Sequence, residues 1–384
     1  MKKIIQYDEL TWPELFALPR NIPLIIPLGE GYDLNLLSSA LGDPEDTVFL
    51  PPFPFGWVGS GLEVSAGLLA RYISNLLDSL RDDGFTRVFA LVPQGTNLNL
   101  GQSQINLPHL TQWFPTAPLP SDSNLDKVVL IPIGHTEQHS YHLPMSTDTL
   151  IIDAISRGTA EIAQDKCVSL PVTPYGVSTH RSSFFGTLNA GGRAFEDFWL
   201  DVVRNLVLRG FNRIYFINGH GGNSSFLVNI VKYAGEKYRR VFCATSWLYL
   251  SGPSGIASLE QHRTSKLGGM GHAGELETSL ILAICPNLVY MDRVRDDTDF
   301  VTTPSYYMDW VEGGALIANP PWDDDSVYGA YGSGSLGTAE NGKFWLKDAI
   351  EEKISHIIEI HEQHKLREIR RKAGFGLWGS HPAD

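Results

Sequence analysis

The chain has 384 residues, 43% hydrophobic and 19% charged, with a formal net charge of −13. This length suits roughly two domains of about 150 residues, and the acidic balance argues against nucleic acid or an anionic membrane as partner. No apolar run approaches the ~20 residues of a membrane span, and Met1-Lys2-Lys3-Ile4-Ile5-Gln6-Tyr7-Asp8-Glu9 lacks the apolar core of a signal peptide. Cys167, Cys243 and Cys285 are isolated, with no CxxC, so buried free thiols in a reducing cytoplasm are expected.

In chain order, apolar runs at 22–29, 50–56 and 84–90 read as strands and turns of a first unit. They reappear, diverged and in the same order, at 128–134, 170–176 and 210–216. The Pro-, Ser- and Asp-rich run 115–126 reads as the linker between two copies. The expected organisation is therefore a copy at 1–120 and a second, larger unit at 126–384. Short apolar runs alternate with amphipathic stretches such as 195–208, which points to an α/β layered fold with a mostly parallel sheet. A helix is expected over Glu275–Ile284 and a long one over Ala339–Lys372. In the latter, Phe344, Ile350, Ile354, Ile357 and Ile358 approximate helical spacing, and Arg367, Arg370, Arg371 and Lys372 suit the C-terminal end.

The chemistry-bearing residues fall in the second unit. Gly134-His135-Thr136-Glu137-Gln138-His139 follows an apolar run and is followed by Thr147-Asp148-Thr149. Glu137 and His139, two apart on an extended segment, point the same way. Asn218-Gly219-His220-Gly221-Gly222-Asn223 follows a second run, at the strand end where parallel α/β sheets bind ligands. His272-Ala273-Gly274-Glu275-Leu276-Glu277-Thr278 enters a helix. Glu137, His139, Asp148, His220 and Glu277 are the residue types that hold one or two divalent ions, Zn, Mn or Fe. His272 is a candidate general acid or base and Glu277 a second catalytic candidate, while Glu275 reads as a solvated acid at a helix N-terminus. In the first copy these positions become Tyr32, Leu34 and Gln94, so that copy is expected to bind no metal and to serve packing, oligomerisation or pocket shape, with 53–61 as a loop lent to the pocket. Gly332-Ser333-Gly334-Ser335-Leu336-Gly337 matches a dinucleotide-binding pattern by letters alone; with no preceding strand it reads as a helix start.

Taken together, 131–150, 216–224 and 271–279 resemble the creatininase family of metal-dependent amidohydrolases. The family pattern is Gly-x-x-Glu-x-His, Thr-Asp-Thr, Asn-Gly-His-Gly-Gly-Asn and His-Ala-Gly-x-x-Glu-Thr-Ser. Phe184-Phe185-Gly186-Thr187 is similar to its Phe-Pro-Gly-Thr element, and 328–342 to its Gly-rich turn and helix start. The resemblance covers about 126–365. It implies a three-layer α/β/α domain, Zn or Mn, hydrolysis of an unusual amide in a small molecule, and a homo-oligomer. Family reactions also include carbon–carbon cleavage of dehydro-inositols and peptide processing; a non-catalytic scaffold with structural metal is the reading of another class. Gly222 stands where creatininase itself has a metal-binding glutamate, so either Glu277 fills the gap or the second site is weak. His180 and Arg181 stand near a family histidine and are candidate substrate contacts, Arg181 either for an anionic or carbonyl-rich group or in a rim salt bridge. Trp247 matches a substrate-contacting tryptophan and reads equally as a core residue. Creatinine is not the expected substrate.

Overall fold

The computed structural model describes residues 3–109, 120–179, 183–311 and 313–374. In chain order the elements are β1 (Lys3–Gln6), α1 (Trp12–Phe16), β2 (Leu24–Pro27), α2 (Leu34–Ala40), β3 (Asp46–Phe49), α3 (Ala66–Asp82), β4 (Val88–Pro93) and β5 (Gln104–Leu107). There follow β6 (Val128–Ile133), α4 (Thr147–Ile162), β7 (Cys167–Ser169), α5 (Gly192–Leu208), β8 (Arg213–Asn218), α6 (Ser224–Lys237), β9 (Phe242–Thr245), α7 (Pro253–His262), α8 (Glu275–Ile284) and α9 (Ala339–Lys372). Two all-parallel sheets result, ordered β1-β3-β2-β4-β5 and β7-β6-β8-β9. Without β1 the first sheet repeats the strand order of the second. The first unit is the smaller in chain length, yet its sheet has five strands against four.

Side chains alternate across each strand and so feed two layers. Val129, Ile131 and Ile133 of β6 join Ile214 and Phe216 of β8 in one core with Phe195, Phe198 and Trp199 of α5. Val128, Leu130, Tyr215 and Ile217 point the other way, into a core with α4, α8 and α9. This is the expected three-layer arrangement, and burial on both faces explains why these strands read as continuous apolar runs. The long C-terminal helix has the expected bounds, with Thr338 capping it by accepting from the Asn341 N–H. Its buried stripe, however, is Trp345, Ala349, Ile357 and Ile360, whereas Phe344 and Ile358 are exposed. Phe344 instead stacks on His262, ring centroids 4.7 Å apart.

The inner faces of the two sheets share one core, while each outer face has a cluster of its own. Leu24 and Ile26 of β2 with Leu28 just after it, Val88, Ala90 and Val92 of β4, and Leu69, Tyr72, Ile73, Leu76 and Leu80 of α3 belong to the same cluster as α5 and the inner face of β6 and β8. Phe53, Phe55 and Trp57 lie in it too, with Phe53 stacked on Tyr175 and Phe55 edge-on to Trp199. Within the stretch expected to be lent to the pocket, Phe53, Phe55 and Trp57 are thus packing between the units, Val58, Gly59 and Gly61 are exposed, and none of 53–61 lines the cavity over the site. Polar contacts follow the same seam: Tyr72 Oη donates to Tyr175 O at 2.7 Å and Asn75 Nδ2 to Ala190 O at 2.6 Å. The first unit also holds both backbone groups of Gly186, whose N–H donates to Asp83 Oδ2 and whose carbonyl accepts from Tyr7 Oη, each at 2.7 Å. Gly186 has φ +85°, and a Cβ there would strike Leu15.

Of the expected linker, 115–119 lies outside the described residues. The remainder is pinned to the second unit, with Arg209 donating to Pro120 O and Arg213 Nη2 to Leu125 O at 3.2 Å. Cys167 is buried, while Cys243 and Cys285 are only half-buried; all three are free. No helix among the described residues is long and apolar enough to cross a membrane.

Candidate metal centre

Parallel pairing brings the C-terminal ends of β6, β8 and β9 to one edge, and the loops leaving them carry the site. Glu137 and His139 follow β6, and Asp148 lies in the first turn of α4. His220 follows β8 directly, and Glu277 lies in the first turn of α8 with His272 in the turn before it. All six are buried, none more than 4% exposed. His139 Nε2 lies 3.1 Å from Asp148 Oδ1 and 3.7 Å from Glu277 Oε2. On the other side His220 Nδ1 lies 3.0 Å from Asp148 Oδ2 and 3.3 Å from Glu137 Oε1. Asp148 thus presents one oxygen to each histidine, as a carboxylate shared between two ions would. His272 Nδ1 is 3.4 Å from Glu137 Oε1. The five sequence-predicted ligands and His272 form one cluster.

The proton positions argue for a cation. The outer ring nitrogens of His139, His220 and His272 lie 3.1, 3.1 and 2.8 Å from the carbonyl oxygens of Glu137, Val177 and Gln138. A carbonyl only accepts, so each outer nitrogen carries the proton, and in the neutral ring each inner nitrogen turns a lone pair toward the carboxylates. Three carboxylates and three lone pairs converging in a buried space repel one another unless protons or metal ions lie between them. The electrostatics carry the same message. Burial works against charge on His139, but Asp148, Glu277 and Glu137 outweigh it and raise it to about 9. Burial pushes Asp148 upward, yet His139 and His220 hold it well below the usual carboxylate range. Burial lifts Glu277 to about 7, with His139 opposing and Asp148 adding.

His135 joins the ligand-type atoms, since it lies with Glu137 and His220. Its Nδ1, however, accepts from the Gly176 N–H at 2.9 Å, so its Nε2 carries the proton toward Glu137 Oε2, 3.9 Å away. It therefore offers Glu137 a positive edge rather than offering an ion a lone pair. Ser178 Oγ donates to the same Glu137 oxygen at 2.8 Å, and the Ala273 N–H to Glu277 Oε2 at 2.6 Å. Ala273 takes φ +52°, a left-handed conformation unusual outside glycine, and this aims its N–H at the carboxylate.

Tyr249 joins the two sides. Its hydroxyl donates to Gly219 O at 2.7 Å and stands 3.3 Å from both Asp148 Oδ1 and Glu277 Oε1. Its loop is tied down from beneath by α9. The fully buried Lys353 donates to Leu248 O at 3.2 Å, and its neighbour Glu352 accepts from the N–H groups of Ser251 and Gly252.

A cavity of about 550 Å³ opens over the centre, lined by Glu137, Asp148, His220, His272 and Glu277 below and by an apolar and aromatic wall above. Trp247 is on that wall and 42% exposed, so it is not a core residue. Gly222 lines the cavity, and Glu277 stands with His139 and Asp148. Glu275 overturns its expectation: it is buried, and its two oxygens accept from the N–H groups of Thr264 and Ser265 at 2.8 and 2.7 Å. It fastens the loop before His272 instead of meeting solvent. His180 and Arg181 lie outside the described residues. Tyr32, Leu34 and Gln94 form no comparable centre: Tyr32 Oη bonds Leu28 O, and Leu34 and Gln94 are exposed.

Residues 119–357 match the family model for creatininase, creatinine amidohydrolase. The chain belongs to the creatininase family. Among relatives, a creatinine amidohydrolase of Pseudomonas putida is 32% identical over 194 residues, 47% of this chain and 73% of that one. A mycofactocin precursor peptide peptidase of Mycobacterium ulcerans is 34% identical over 173 residues, 43% of this chain and 62% of the peptidase, so less than two thirds of that relative is spanned. A solved manganese form of creatininase superposes with TM-score 0.52 at 26% identity, covering 62% of this chain and 92% of that one. The family match falls on the second unit.

Proposed function

We propose that this protein is a metal-dependent hydrolase that cuts an amide-type C–N bond in a small molecule, with one or two ions of Zn, Mn or Fe held by Glu137, His139, Asp148, His220 and Glu277. The observation that carries this reading is the convergence of ligand-type atoms: three imidazoles, each with its outer nitrogen against a backbone carbonyl, facing three buried carboxylates. Solved creatininases in manganese and zinc–zinc forms support manganese or zinc among these ions. An ion held here would acidify water and polarise a carbonyl. His272, oriented by Gln138 O, has its Nδ1 at the cavity floor, placed to take a proton and return it to a leaving nitrogen. Glu137 is oriented by Ser178 and His135, and Tyr249 spaces Asp148 from Glu277. A cavity of about 550 Å³ suits a small molecule. The shared strand order supports reading the first unit as a diverged copy that has lost its ligands.

Elemental analysis of the purified protein is expected to find about one to two metal equivalents per chain. His220→Ala and Asp148→Ala should abolish hydrolysis with the fold retained. Protein that carries no metal and takes none up, or either variant turning over at the wild-type rate with metal saturated, overturns the assignment.

A further inference from the structure

The geometry points to a substrate that carries a flat aromatic or heteroaromatic group beside the bond to be cut, gripped by Trp310 on an arm held by its neighbour Asp309. This inference rests on the metal-hydrolase reading and deepens it.

Sequence patterning singles out nothing in this arm, yet it supplies Met308, Trp310, Ile317, Ala318, Asn319 and Trp322 to the cavity wall. Trp310 and Trp247 meet edge to face, centroids 5.9 Å apart at 67°. Their ring tips converge over Gly221, the residue after His220: a Cβ built there would lie 3.5 Å from Trp310 Cη2 and 3.8 Å from Trp247 Cη2. On the opposite side Trp322 stands edge-on to His272, centroids 5.7 Å apart at 82°. Indole rings therefore flank the centre beside both His220 and His272, and Phe226, Met308 and Ile317 extend the apolar wall.

The arm is clamped in place. Asp309, between Met308 and Trp310, is 4% exposed. Its carboxylate accepts from the Gly268 N–H at 2.8 Å, the Val311 N–H at 2.9 Å and Arg263 Nη2 at 3.0 Å. Those partners include the loop that runs into His272, so the aromatic wall and the floor are registered to each other before any substrate arrives, which lowers the ordering cost of binding. Indole edges and faces favour a planar ring.

The test uses the full chain loaded with manganese and two metal-chelating probes, acetohydroxamate and benzohydroxamate, with cyclohexanecarbohydroxamate as the non-planar control. Calorimetry is expected to show benzohydroxamate binding about ten-fold tighter than acetohydroxamate, with the cyclohexane probe well behind it. Trp310→Ala should bring the benzo-to-aceto ratio close to one. Asp309→Asn, a positioning change, should lower the same ratio while indole quenching by benzohydroxamate weakens. Equal affinities in the wild type, a cyclohexane probe as tight as the aromatic one, or an undiminished ratio in Trp310→Ala overturns the inference and leaves the metal reading standing. Binding of acetohydroxamate by each variant reports that its centre is folded. Failure of the wild type to take up manganese would overturn the metal reading itself, and this inference with it.

Discussion

Replacing Tyr249 with phenylalanine removes one oxygen from the middle of the centre and little else. The ring is 1% exposed and keeps its packing. Burial, with Asp148 and Glu277 alongside, pushes the phenol well above its usual range, so it is a proton donor at every working pH. Its proton goes to Gly219 O at 2.7 Å, and its oxygen stands 3.3 Å from Asp148 Oδ1 and from Glu277 Oε1. Two separable losses follow. The metal-free fold loses the Gly219 bond and leaves a buried carbonyl without that donor, a cost of about 1–3 kcal/mol. The centre loses the group that sets the spacing of two ligand carboxylates, and outer-sphere losses of this type reduce metal affinity about 10- to 100-fold, or roughly 1.4–2.8 kcal/mol. Thermal melts of metal-free protein read the first loss. Chelator competition reads the second, and the manganese-induced rise in stability should shrink by the same amount at fixed excess metal. If Tyr249→Phe lowers metal-free stability yet binds manganese within two-fold of wild type, Tyr249 holds only Gly219 and the spacing argument is refuted.

Two further outcomes are expected. Burial raises Asp83 to about 7 against the Gly186 N–H and Arg20. Its folded pKa therefore lies above the unfolded value near 3.9, so its contribution is full below about pH 4 and is lost as pH rises through 7. Asp83→Asn should flatten that decline by about 2 kcal/mol between pH 5 and 8 in denaturant titrations, and an unchanged slope would show that burial does not hold Asp83 above the usual carboxylate range. Deleting residues 1–120 bares Tyr175, Phe195, Phe198 and Trp199, which are buried in the core shared with α3. The fragment should aggregate or lose its cooperative melt, and a soluble, active fragment of unchanged oligomeric state would show the first unit to be dispensable.

The candidate ligands were legible in the sequence because each is tied to a local pattern. Glu137 and His139 follow one buried strand and His220 another, and parallel strands deliver their C-terminal loops to one edge whatever the intervening helices contain. Helix ends were legible for the same reason: the periodicity and caps that set Glu275–Ile284 and Ala339–Lys372 lie within a few residues of each boundary. His135 was within reach, one residue from a noticed pair, but its tautomer depends on Gly176, 41 positions away.

What remained hidden depends on contacts with no sequence period. Glu275 reads as a surface acid until the Thr264 and Ser265 N–H groups fold back onto it. Phe53 and Phe55 read as a loop until α5 covers them. Trp310 has neither helical nor strand spacing, and only the Asp309 clamp, reaching 41 residues back to Gly268, sets it against Trp247. The sequence by itself determined which residues can bind an ion and which reaction class they suit, because ligand type is a property of single side chains and their immediate neighbours. Tertiary structure alone decided which protons face the centre, what walls surround it and that the inner faces of both sheets share one core, because burial and pairing are properties of residues brought together from distant parts of the chain.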